Sequence, residues 1–189
     1  DVETRLRKRY LDLLAHADLR EMFRKKAKFW NAVRQQLVKK GFLEVETPVL
    51  EAVPGGADAR PFITHHHALD FDLYLRISLE LHQKRLLVGG YEKVFEIGRV
   101  FRNEGIDAEH LQDYTAMEFY SAYTDYRTLL KFIPQFYRAV IKATTGGFTT
   151  TWHGQTIEWG KPWKKLDYSK AFKVATGLTI AKANIEDLL

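Results

Sequence analysis

The run EIGRVFRNEGIDAEHLQDYTAMEFY, from Glu96 to Tyr120, limits the folds open to this chain more than any other stretch. Its flanks, EKVFEIGRVFRNE and YTAMEFYSAY, read as two β-strands joined by a loop at about 105–113. Side chains alternate between the two faces of a strand. Phe95, Ile97 and Phe101 therefore share one face of the first strand, and Glu96, Gly98, Arg102 and Glu104 share the other. On the second strand Met117 and Phe119 oppose Tyr114, Glu118 and Tyr120. Pairing the apolar sets against a helix layer leaves a face carrying an arginine, several carboxylates and two tyrosines. Buried charge is costly unless it is paired or bound. That face is either the floor of a site for a ligand with phosphate and cationic parts, or a solvent-facing surface with internal ion pairs. On the first reading the arginine fork matches a phosphate or carboxylate, a tyrosine ring stacks on a base, and the carboxylates take amine donors.

Around this hairpin the periodicities predict helices and short strands. REMFRKKAKFWNAVRQQLVKK, residues 20–40, is an amphipathic helix with Phe23, Ala27, Trp30, Val33 and Leu37 on one side and Gly41 as its cap. FLEVETPVLE alternates as one strand, with Pro48 marking an edge or an end. LYLRI, 73–77, is a further strand, and a short helix follows from Ser78 as N-cap to Gly89-Gly90. Asp125 caps a second long helix, which Pro134 kinks or breaks. FTTTWHGQTIEW is a hairpin on a His153-Gly154 turn, and SKAFKVATG is a short helix before a polar tail. The glycine pairs 55-56 and 89-90 permit close backbone approach. This order of elements predicts an α+β fold, an antiparallel sheet flanked by helices.

Composition narrows the function classes without choosing one. No apolar run approaches the ~20 residues of a membrane span, and the start, DVETRLRKRY, lacks the apolar core of a signal peptide, so a cytoplasmic location is expected. The absence of cysteine excludes disulfides, thiolate zinc sites and cysteine nucleophiles. Of His65, His66 and His67 only the first and third share a strand face, and no second ligand set accompanies them, so no metal site is assigned. A net charge of +5 fits contact with nucleic acid but does not establish it. The chain does not begin with methionine, which suggests a piece of a longer one.

FRNEG…H…Y…MEFY resembles motif 2 of the class II aminoacyl-tRNA synthetases, and KKGFLEVETPVL resembles their motif 1. More narrowly, the stretch from GGADARPF through FRNEGID is similar to the catalytic domain of lysyl-tRNA synthetases, as is RYLDLL near the start. The likeness is close over about residues 5–127. It implies a partial class II catalytic core: a lead-in at 1–20, the core with motifs 1 and 2 at 21–147, and at 148–189 a hairpin and the start of a helical segment.

The resemblance also implies roles. Arg102 is the catalytic residue, holding the α-phosphate of ATP together with the amino-acid carboxylate. Glu104 accepts from the adenine amine, Tyr114 (where the family usually has Phe) stacks on the ring, and His110 reaches the outer phosphates. Glu80 and a carbonyl of Gly55 or Gly56 meet the α-ammonium of L-lysine, while Glu118 and Tyr120 lie toward its ε-ammonium. The implied partners are L-lysine, tRNA(Lys) and a second copy of the chain through the motif 1 region. The lysines at 161, 164, 165, 170 and 173 either touch tRNA phosphates or form a solvated face. ATP is expected with Mg2+, whose family ligands lie beyond this chain. Nothing after Arg138, the last arginine, resembles motif 3. Two functions therefore stand open: part of a working lysyl-tRNA synthetase, or a non-catalytic relative that binds nucleotide, tRNA or a partner protein.

Overall fold

The computed structural model describes residues 2–105, 107 and 109–180. The chain divides into two units, Asp1–Gly147 and Phe148–Leu189. The polar tail expected after the last helix lies outside the described residues.

The first unit opens with α1 (Val2–Arg7), α2 (Arg9–Ala15) and the long α3 (Ala17–Lys39). Asp12 of α2, only 2% exposed, ties α2 to α1 and to the junction before α3, accepting from Arg5 Nε at 2.8 Å and Arg9 Nη1 at 2.7 Å and lying 2.9 Å from His16 Nδ1. The Arg5 bond, ahead of the other cations, holds its carboxyl below the usual aspartate range. α3 ends as expected at Gly41, whose φ of +81° suits glycine. There the Phe42 N–H reaches back to the Leu37 carbonyl, closing the helix end.

FLEVETPVLE is not one strand. It yields β1 (Leu43–Glu44) and β2 (Leu50–Glu51), which join different sheets. Pro48 has no N–H to give to a ladder. Beside it the Thr47 carbonyl accepts instead from the Arg76 side chain, at 2.9 Å. One sheet runs β2–β4–β3, with β3 (Ile63–His66) and β4 (Phe71–Leu75) antiparallel throughout. After it comes α4 (Glu80–Val88). Ser78 does not cap α4 from the standard position; its hydroxyl accepts from the Glu80 N–H at 3.1 Å.

The other sheet runs β1–β5–β6, with β5 (Lys93–Phe101) and β6 (Asp113–Ser121) forming the central hairpin. β1 adds one short parallel pair to an otherwise antiparallel set. The register places Phe95 opposite Phe119, Ile97 opposite Met117, and Glu96 opposite Glu118, as the alternation requires. Among the described residues β6 pairs with β5 alone. The helix α5 (Tyr126–Thr145) is capped by Asp125, whose carboxylate accepts from the Thr128 N–H at 3.0 Å, and it runs unbroken through Pro134. Ala32, Val33 and Leu37 of α3, Phe136 and Val140 of α5, and Phe95 of β5 bury one core, against which Ile97, Met117 and Phe119 pack. Apolar surface removed from water stabilises by about 25 cal/mol per Å2, so burial of this layer favours the folded unit.

The second unit holds β7 (Thr149–Trp152), β8 (Gln155–Glu158) and α6 (Tyr168–Thr176). His153 and Gly154 both have positive φ, +46° and +75°, the backbone that a tight two-residue hairpin turn demands.

Candidate functional site

The polar face of the β5–β6 hairpin is not uniform. Its middle is covered by α4 and the segment leading into it, where Ile77 and Leu79 are buried. There Glu96 is paired with Arg76: Nη1 to Oε1 is 2.7 Å, and each side chain is 4% exposed. Thr47 donates to the second Glu96 oxygen at 2.6 Å, and Arg76 Nε donates to the Arg99 carbonyl at 2.8 Å. The charge is paired, as internal ion pairing requires, but the pair is buried and not on the solvent-facing surface expected with it. Its cation is Arg76, which the sequence pattern marks only as part of a strand.

At the loop end the face opens into a cavity of about 290 Å3. Arg102, Glu104, His110 and Tyr114 all line it, with Glu109 and Gln112 beside them. Arg102 continues the hairpin ladder, its N–H donating to the Gln112 carbonyl at 2.8 Å. Its guanidinium stands 5.7 Å from the centre of the Tyr114 ring, a cation–π arrangement. Among the described residues its one side-chain hydrogen bond is a long one, 3.4 Å from Nε to the Ile77 carbonyl. A fork so lightly held can turn its donors to an anion. His110 is oriented by Asp107, whose Oδ2 lies 2.6 Å from Nδ1. Asp107 Oδ1 also accepts from the N–H groups of Glu109 and His110, each at 2.7 Å. The Glu109 N–H first, then the His110 ring, hold the Asp107 carboxyl below the usual aspartate range. Ile106 and Ala108 of this loop lie outside the described residues.

A second group gathers at the start of α4. Glu118 Oε1 accepts from Ser78 Oγ and from the Leu79 N–H, both at 3.0 Å, and Oε2 accepts from the Tyr120 hydroxyl at 2.8 Å. Burial first, then this bond to Glu118, raises the Tyr120 phenol well above its ordinary range. The Gly55-Gly56 loop closes on the same place. A Cβ on Gly56 would meet Ser78 Oγ at 2.9 Å and Glu80 Cβ at 3.0 Å, and one on Gly55 would meet Leu81 Cδ1 at 2.6 Å. Gly56 also has φ +83°. Glycine is needed there on both counts. All five residues expected around an amino acid, Gly55, Gly56, Glu80, Glu118 and Tyr120, thus belong to one cluster.

Behind it, Glu51 of β2 meets His82 of α4, Oε1 to Nε2, at 3.1 Å. Burial raises the Glu51 carboxyl above its ordinary value, partly offset by His82. Sequence pattern could not have found this contact, since residues 51 and 82 lie on different elements and neither stands in a recognisable spacing. His65 is engaged by Asp72 at 3.0 Å and Asp70 at 3.3 Å, and its ring lies edge-on to that of His67. Among the described residues no group of three or more histidine, aspartate or glutamate side chains is placed to hold a metal. Nor is any described helix long and apolar enough to cross a membrane.

Comparison with known proteins matches residues 1–186 to the model of the class II tRNA synthetases (D, K and N). The chain is 49% identical over 178 residues to a lysine–tRNA ligase of Dehalococcoides mccartyi, covering 94% of the chain and 36% of that protein. It is 47% identical over 188 residues to the lysine–tRNA ligase of Edwardsiella ictaluri, and 50% over 172 to that of Magnetococcus marinus. Those matches cover 100% and 90% of the chain, and 37% and 34% of the two ligases. The chain spans about a third of the length of the curated relatives it matches.

Proposed function

This chain belongs to the class II tRNA synthetases, and from that premise we propose that it is the part of a lysine–tRNA ligase that holds ATP and L-lysine for adenylate formation. The observation that supports this most is the gathering of Arg102, Glu104, His110 and Tyr114 around one cavity, with Arg102 bonded to the Ile77 carbonyl next to Ser78, a partner of Glu118.

In this reading Arg102 draws the α-phosphate and the lysine carboxylate together with its two parallel donors. A carboxylate oxygen attacks the α-phosphorus, the bond to the bridging oxygen of the β-phosphate breaks, and pyrophosphate leaves with that electron pair. The carboxylate is already ionised at neutral pH, so no general base is needed. What the chain supplies is alignment and charge compensation. Tyr114 stacks on adenine, Glu104 accepts from its amine, and His110, held through Nδ1 by Asp107, offers Nε2 to the outer phosphates. Glu80 and the Gly55-Gly56 backbone take the α-ammonium, and Glu118 with Tyr120 takes the ε-ammonium. An ammonium-free analogue leaves a carboxylate unpaired and is rejected.

Magnesium accompanies ATP in this chemistry, but the described residues offer it no ligand set, so no step here runs through it. The lysyl group then passes to tRNA(Lys) in the longer protein. We assign residues 1–20 as lead-in, 21–147 as catalytic core and 148–189 as the following segment, with a dimer formed through the motif 1 region, KKGFLEVETPVL, and a cytoplasmic site of action.

Lysine-dependent exchange between ATP and pyrophosphate on the purified 189-residue chain is the test, with aspartate and asparagine as controls. Exchange specific to lysine supports the reading. Exchange absent while ATP still binds would mean that the 189 residues do not form the adenylate by themselves, leaving a fragment of such a ligase or a nucleotide-binding remnant.

A further inference from the structure

α4 carries a cation of its own into the amino-acid cluster. Lys84, one turn after Glu80, donates from Nζ to Glu80 Oε1 at 2.6 Å, and its Nζ stands 6.0 Å over the Tyr120 ring. The phenol of that ring is in turn bonded to Glu118. A Cβ added at Gly56 would come within 3.0 Å of the Glu80 Cβ, so the glycine leaves the room that Glu80 occupies beside this loop. A primary ammonium of the chain thus rests on the carboxylate assigned to the ligand's α-ammonium, beside the aromatic ring assigned to its other end.

We propose that Lys84 is an internal competitor of the amino acid: it neutralises Glu80 in the empty site and must release that carboxylate for a ligand ammonium to enter. This rests on the reading of the site given above and adds to it a residue that sets affinity for the ligand's α-ammonium. Two carboxylates, Glu80 and Glu118, form the cluster, and Lys84 cancels one of them. A ligand bearing an α-ammonium has to displace Lys84, whereas a ligand bearing only the distal ammonium finds Glu118 already free of it. The displacement is easy because the pair is half-exposed and spaced i,i+4, an arrangement that is weakly stabilising in water. Lys84 therefore weakens binding of every α-amino acid by a modest factor and keeps Glu80 from sitting uncompensated between turnovers.

Calorimetric titration of the full chain and of Lys84→Met tests this with three probes. L-lysine carries both ammonium groups, L-norleucine only the α-ammonium, and 6-aminohexanoate only the distal one. The expected result is about two- to fivefold tighter binding of L-lysine and L-norleucine by the variant, the range of a weak surface pair, and no change for 6-aminohexanoate. Lys84→Arg keeps the cation and should match the parent, while Lys84→Gln should repeat the methionine result. Unchanged or weaker affinity for L-lysine and L-norleucine, or an equal gain for 6-aminohexanoate, overturns the proposal while the site reading stands. Failure of every form, the parent included, to bind L-lysine overturns both.

Discussion

Arg76 and Glu96 meet at 2.7 Å across Gly98, the position where any side chain would collide with the Arg76 guanidinium. The guanidinium crosses the strand where the glycine leaves room, and Thr47 completes the hydrogen bonding from the neighbouring segment. Gly98→Ala should push the arginine off its partner and leave two poorly compensated charges inside. Breaking a buried pair costs on the order of 3–5 kcal/mol, so the urea midpoint should fall steeply. A midpoint within error of the parent would show that the pair can shift at no cost.

Glu51 supplies a pH signature. Its carboxyl is raised above the ordinary glutamate value of 4.5 by burial. A raised folded-state value means that the fold prefers the protonated form. This contribution to stability is complete below the ordinary value and disappears as pH rises through the raised one. Denaturation midpoints measured from pH 4 to 7.5 should therefore carry a falling component that Glu51→Gln removes. Parallel profiles for the two proteins would count against it.

Arg102→Ala should weaken ATP binding about ten- to a hundredfold, the range expected when a charge-assisted hydrogen bond to phosphate is removed. Among the described residues its side chain is bonded only to the Ile77 carbonyl, at 3.4 Å, so the melting temperature should barely move. Filter binding beside a thermal melt separates the two effects. A large drop in melting temperature would instead mark Arg102 as a structural residue.

In the proposed site Asp107 would act on the nucleotide through His110, whose ring it holds. Asp107→Ala removes the acceptor for the ring and for two loop N–H groups together. ATP affinity should fall severalfold with little change in stability, and Asp107→Asn should recover part of it, because the amide oxygen can still accept from the loop. Equal affinities in all three proteins would separate His110 orientation from nucleotide binding.

The central hairpin was legible in the sequence because its information is local. Period-two alternation over nine residues fixes which side chains share a face, and the observed pairs Phe95–Phe119 and Glu96–Glu118 follow directly. The helices at 17–39 and 126–145 were legible for the same reason, from a period near 3.6 and recognisable caps. What escaped depends on distance along the chain. Arg76 reads as one charge in an apolar strand until Glu96, twenty residues on, and Thr47, twenty-nine back, are placed around it. The division of FLEVETPVLE between two sheets follows from that same network, which takes the Thr47 carbonyl just before Pro48. Lys84 was hidden by its ordinariness, since an i,i+4 pair on a helix reads as surface until Tyr120 is seen beneath it.

The unaccompanied edge of β6 leaves the 189-residue chain a place where further extended backbone can add. Among the described residues, nine positions of strand carry pairing partners along one side only. Such an edge is a template for any extended segment of matching alternation, including the same strand in another molecule. Losses on standing should therefore be second order, growing with the square of protein concentration, and dilution should preserve the chain better than cooling does.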